Sequence, residues 1–151
     1  MSYVDKILQP GETVITTGRM HWIIYARGIL TIVVGLLAAL WPLPESFALL
    51  QHIVGALIAL FGLFMLAASW IEQVTTEIAV TNKRVIQKRG FIRRLTGEMN
   101  MDKVESVIVD QSLLGRVLGY GSIVVRGTGS GIEGLHHIAD PLSLRSSIVV
   151  R

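Results

Sequence analysis

The stretches GILTIVVGLLAALW (28–41) and IVGALIALFGLFMLAASW (53–70), joined through Pro-Leu-Pro at 42–44, decide how this 151-residue chain is read. From Trp22 to Trp41 there are about 20 residues, about 30 Å as a helix, which matches the hydrocarbon core of a bilayer. The second run holds about 17 residues without a charge, and 46–70 extends it outward as one helix. Trp22, Trp41 and Trp70 stand where an interfacial aromatic belt places them. The competing reading is two buried core helices of a soluble protein. It fails on size, because a chain this short has too little other sequence to enclose both. The expectation is a transmembrane hairpin.

Hydrophobic residues make up 51% of the chain and concentrate in its first half. The chain therefore divides into an N-terminal arm (1–21), a hairpin (22–71, spans about 23–41 and 47–70) and a polar domain (72–151). The arm carries Asp5, Lys6, Glu12 and Arg19 with no early apolar run, so no signal peptide is expected. The absence of cysteine excludes disulfides and thiolate metal sites and fits a reducing compartment. The loop 42–51 holds Glu45, while all 14 Lys and Arg lie outside it. The positive-inside rule then sets both termini in the cytoplasm. Arg27 lies about one turn inside Trp22; it either snorkels to the headgroups, so that the span starts near Gly28, or meets a partner in a protein interface.

From Val74 onward the pattern turns β-like. Residues 75–81 and 84–89 read as strands around an Asn82-Lys83 turn, the second ended by Gly90. Further strands are expected at 91–96, 98–102, 104–111, 122–127 and 133–139, with one or two helical turns at 113–119. Asp140-Pro141 has the form of an N-cap followed by Pro at the first helical position, opening a terminal helix over 142–151. The arm adds a strand candidate at 12–17. Both flanks share one side of the membrane in this reading, so that strand is free to join the same sheet.

The segments AVTNKRVI (79–86), GFIRR (90–94), KVESV (103–107), QSLLGR (111–116) and LGYG (118–121) through GTG (127–129) follow one another in order. With QPGE (9–12) and His21-Trp22, they resemble the bacterial pleckstrin-homology-like (PH-like) membrane proteins of the second type, formerly a domain of unknown function. The resemblance covers about 10–145. It implies a membrane protein with a PH-like α+β roll, a strongly bent antiparallel sheet closed by a C-terminal helix, in the bacterial inner (plasma) membrane. Ser130 and Leu144 depart from the family pattern, where a glycine and an aromatic residue are expected.

Gly129, Gly131 and Gly134 match the spacing of a dinucleotide fingerprint. No long helix follows and Pro141 interrupts, so the run reads as a turn and no cofactor is expected. His136 and His137 are adjacent, so on a regular strand they point to opposite faces and cannot share a metal. No metal site and no catalytic constellation emerge, and an enzyme is not expected. The strongest signal is Lys83, Arg84, Lys88, Arg89, Arg93 and Arg94, six cations in twelve residues with no acid among them. They are either a solvated strand face or a contact with anionic headgroups or a partner protein. Nucleic acid is not expected, because aromatic interleaving is limited to Phe91.

Small residues recur on one face of each span: Gly28, Thr31, Gly35 and Ala38/Ala39 on the first, Gly55, Ala59 and Gly62 on the second. They pack the hairpin against itself or against another subunit. The expected function is a non-enzymatic membrane-anchored scaffold or adaptor, self-assembling and touching membrane lipids or a partner protein. The alternative is an accessory subunit of a larger membrane export or resistance complex.

Overall fold

A computed structural model describes residues 3–42, 44–91, 95–128 and 132–149. The chain forms two compact units, Met1–His21 with Val74–Arg151, and Trp22–Gln73.

In the second unit, a 3-10 turn at Trp22–Tyr25 runs into α2 (Ala26–Leu40), and another at Glu45–Phe47 runs into α3 (Ala48–Thr75). Both helices are long and apolar enough to cross a membrane, and only 11% of each apolar window is buried within the chain. Glycine makes their close approach possible. A Cβ on Gly35 would stand 2.5 Å from the Ala59 amide nitrogen, and one on Gly62 2.8 Å from that of Ile32. Gly28 and Gly55 are buried in the same seam. The Gln51 side chain donates to the Ala38 and Ala39 carbonyls at 3.0 and 3.1 Å, satisfying acceptors that the end of α2 leaves open. At the other end Ser69 donates to the Ile24 carbonyl at 3.0 Å, and the Tyr25 hydroxyl donates to Gln73. Helix α3 continues past Trp70 to Thr75, where a strand was expected to open. No Gly or Pro interrupts 71–75, so the helix propagates until the sheet captures Glu77.

In the first unit, β1 (Val14–Gly18), β2 (Glu77–Thr81), β3 (Arg84–Arg89) and β4 (Leu95–Asn100) form an antiparallel sheet in that order. A second sheet is β5 (Val104–Asp110), β6 (Tyr120–Gly127) and β7 (Ile132–Ala139), with α4 (Leu113–Leu118) between β5 and β6. The expected single bent sheet is thus two separately bonded sheets. A 3-10 turn at Met101–Lys103 interrupts the ladder between β4 and β5. The expected separate strands at 91–96 and 98–102 are replaced by β4 and that turn, and 92–94 lie outside the described residues.

The chain beyond β1 stitches the sheets together. Met20 bridges Ile138, the His21 amide donates to the His137 carbonyl at 2.7 Å, and the Ala139 amide donates to the Arg19 carbonyl at 2.8 Å. Ile78, Val80, Val85 and Met99 of the first sheet meet Ile123, Val125, Leu135 and Ile138 of the second. The C-terminal helix α5 (Pro141–Val149) closes this core with Leu144 and Ile148, one turn apart. The Asp140 side chain accepts from the Ser143 amide at 3.3 Å at its N-terminus. On the outer face of the first sheet, a short helix α1 (Tyr3–Ile7), which the sequence reading lacked, packs Val4 on Ala79 and Ile86.

Candidate functional site

The strand register sorts the basic run by position. Gly18 pairs with Ile78 and Glu77 with Lys88 at the end where the chain leaves for and returns from the apolar helices. Val14 pairs with Thr81 at the opposite end, about 13 Å away along the strands. The Asn82-Lys83 turn therefore belongs to the far end, with Arg84 beside it. Strand β3 runs back and delivers Lys88, Arg89 and exposed Phe91 to the near end.

Arg84 is buried and enclosed by its own protein. Its Nε and one terminal nitrogen donate to the two oxygens of Glu12, both at 2.9 Å. The other terminal nitrogen reaches Glu98 at 2.6 Å, and the Ile7 carbonyl accepts at 2.7 Å. The Thr81 hydroxyl donates to Glu12 at 2.7 Å. Burial alone would raise the Glu12 carboxyl. The Arg84 hydrogen bonds, the Gln9 amide, the Thr81 hydroxyl and the Arg84 charge outweigh it and bring the group down to about 2. The hydrogen bonds that Arg84 donates to Glu12 raise the guanidinium further. The expectation that Arg84 faces lipid or a partner is therefore corrected: period-2 alternation turns it, with Ile86 and Lys88, to the face that the arm covers.

Lys88 is half-buried, 3.2 Å from Glu77 and above the Tyr3 ring, while the other Glu77 oxygen accepts from the Tyr3 amide at 2.8 Å. Lys83 is exposed and donates to the Pro10 carbonyl at 3.0 Å. Arg89 is half-buried, and Arg93 and Arg94 lie outside the described residues. The six cations are thus not one patch. Trp22, Arg27, Trp41 and Trp70 are all exposed on the helical hairpin. Gly28, Gly35, Gly55, Ala59 and Gly62 line its internal seam, so they give no argument for a subunit interface.

Two further places gather polar side chains. Around His136 and His137 the register slips: Gly121 pairs with Ile138 but Ile123 with Leu135, so two residues oppose Ser122. Leu135 and Ile138 are buried, and both histidines between them face outward, His137 with φ of 54°. The bulge overturns the argument from alternation that sent them to opposite faces. His136 contacts the Ser122 hydroxyl at 3.1 Å, and Tyr120 lies between His21 and His137. No group of three or more metal-ligating side chains converges among the described residues. At the far end, a cleft of about 590 Å³ is lined by Lys83, Asn100, Asp102, Glu105, Ser106 and Ile148, among others.

The sequence reading missed the exposed apolar face of α4. Leu113, Leu114 and Val117 are 81%, 67% and 82% exposed. The capping signals Ser112 and Gly119 around four apolar residues were readable, but not the side on which those residues lie.

Comparison with curated proteins and with solved structures finds no match. A family model described as Bacterial PH domain matches residues 23–148, from the first apolar helix to the last turn of α5. With its two antiparallel sheets and closing C-terminal helix, this chain belongs to the bacterial PH domain family.

Proposed function

We propose that this chain is a membrane-anchored, non-catalytic PH-like adaptor whose domain works at the cytoplasmic surface of the bacterial inner membrane. One observation carries the reading. The two apolar helices are inserted between β1 and β2, which are hydrogen-bonded neighbours. An insertion of that kind returns the chain to the side it left, so two spans keep the arm and domain together. The largely unburied apolar surface of both helices, the aromatic residues at their ends and the cation-free 42–51 loop support a bilayer as their solvent. PH-like domains are generally binding modules, and the buried Glu12–Arg84 pair is structural in character.

In this reading lipid contact within the basic run falls to Arg89, at the near end of β3, and to Arg93 and Arg94, which follow it in the sequence, with about 1 kcal/mol per cation close to an anionic leaflet. Protease added to sealed right-side-out vesicles tests the topology. The reading requires everything beyond Ser69 to survive, and cleavage between Lys83 and Arg94 overturns it. Native mass after mild detergent extraction separates self-assembly, a homogeneous multiple of 16.6 kDa, from membership of a larger complex, which brings foreign chains.

A further inference from the structure

We infer that α4 is an interfacial wedge, a rigid apolar turn by which the PH-like domain dips into the lipid surface. The inference rests on the membrane reading above and names the part of the domain that meets lipid.

Helix α4 is held from both ends. The Ser112 hydroxyl accepts from the Gly115 amide at 3.1 Å, and Gly119 ends the helix with φ of 77°. Gly115 is the face turned to the domain, where a Cβ would stand 2.6 Å from the Tyr120 carbonyl oxygen. Gln111 ties the same carbonyl down at 3.1 Å. Leu113, Leu114 and Val117 consequently project away from the domain, and among the described residues they stay largely uncovered. Arg116 is exposed among them. A cluster of large, uncovered side chains on a capped helix marks a contact surface.

Position identifies the occupant. Tyr120 follows α4 after one glycine, and its ring stacks on His21 at 5.3 Å between centroids. Tyr120 pairs with Ala139, whose amide bonds to Arg19, so α4 stands where the domain's chain departs for Trp22. Exposed Phe91 comes from the near end of the first sheet. An apolar turn flanked by a cation at the membrane-directed end has the chemistry of an interfacial anchor: leucine and valine among the upper acyl chains, guanidinium at the phosphates.

The chain has no cysteine, so single substitutions label cleanly. The full-length protein would be reconstituted in phosphatidylethanolamine–phosphatidylglycerol vesicles with a nitroxide at V117C. L37C in α2 reports the span and D102C at the far end reports water. The expected result is a ratio of oxygen to nickel-chelate collisions at V117C shifted toward that of L37C and away from that of D102C, with L113C behaving alike. If V117C matches D102C while L37C remains lipid-protected, the wedge is wrong and the membrane reading stands. Protection of V117C from both reagents shows a protein interface and also overturns the wedge. Nickel access at L37C overturns the membrane reading and the wedge with it.

Discussion

Glu12 and Arg84, 72 positions apart in sequence, form a two-pronged ion pair at 2.9 Å, with the Glu12 side chain wholly buried. The pair fixes the arm that precedes the first apolar helix to the strand that follows the second. Removing Glu12 leaves the buried Arg84 guanidinium with only the more exposed Glu98 as its counterion. Glu12→Gln is expected to destabilise the domain by about 3–5 kcal/mol, whereas Glu12→Leu with Arg84→Met recovers much of the loss. Hydrogen exchange over Val14–Gly18 in the full chain reads both. Equal loss in the single and double variants would show that the pair does not act as a unit.

The same carboxylate sets an acid limit. Its value is about 2 in the folded protein against an ordinary 4.5. Between those values the unfolded chain binds the extra proton, so stability falls as pH falls. The contribution, about 3 kcal/mol, is fully present above pH 4.5, declines below it and is gone under pH 2. Acid unfolding of Glu12→Gln should lack this component. An unchanged slope in that variant would contradict the assignment.

The seam of the hairpin tolerates no side chain at Gly35. Gly35→Leu should lower the thermal midpoint in detergent through overpacking, by about 1–3 kcal/mol or more. Leu36→Ile, on the exposed face next to it, should change little. A midpoint unmoved by Gly35→Leu would mean that the helices do not meet there.

Helix α1 holds to the sheet through Val4. Val4→Ser removes an apolar contribution of about 1.5–3 kcal/mol, enough to release a five-residue helix. The expected result is faster proteolysis before Gln9 with β2 and β3 still protected. Loss of protection throughout the first sheet would make α1 part of its core.

Local signals made some elements legible. The alternation and terminal glycine of β3, the Asp140-Pro141 start of α5 and the turn glycine after α4 are each written within a few residues. What was not legible depends on partners far away in sequence. A five-residue helix such as α1 has no stability without Ala79 and Ile86 beneath Val4. The basic run looked like one surface because nothing near Arg84 announces Glu12. One extra residue opposite Ser122 reversed the facing of His137, and an extra residue leaves no mark in the pattern of polarity. In α4, the helical turns expected over 113–119 are present, but nothing local tells which side the domain uses.

The insertion of the helices between β1 and β2 also sets an order of assembly. During synthesis Gly18 emerges about 60 residues before its partner Ile78, so β1 must wait for the whole apolar stretch. Closing a flexible loop of that length costs about 3–4 kcal/mol in chain entropy. Once α2 and α3 are zipped together, with Ser69 bonded to Ile24, the two ends of that loop are already neighbours and most of this cost has been met. The hairpin is thus a folding template for the sheet, and a fault in its glycine seam should delay β1–β2 pairing even where no residue of the domain has changed.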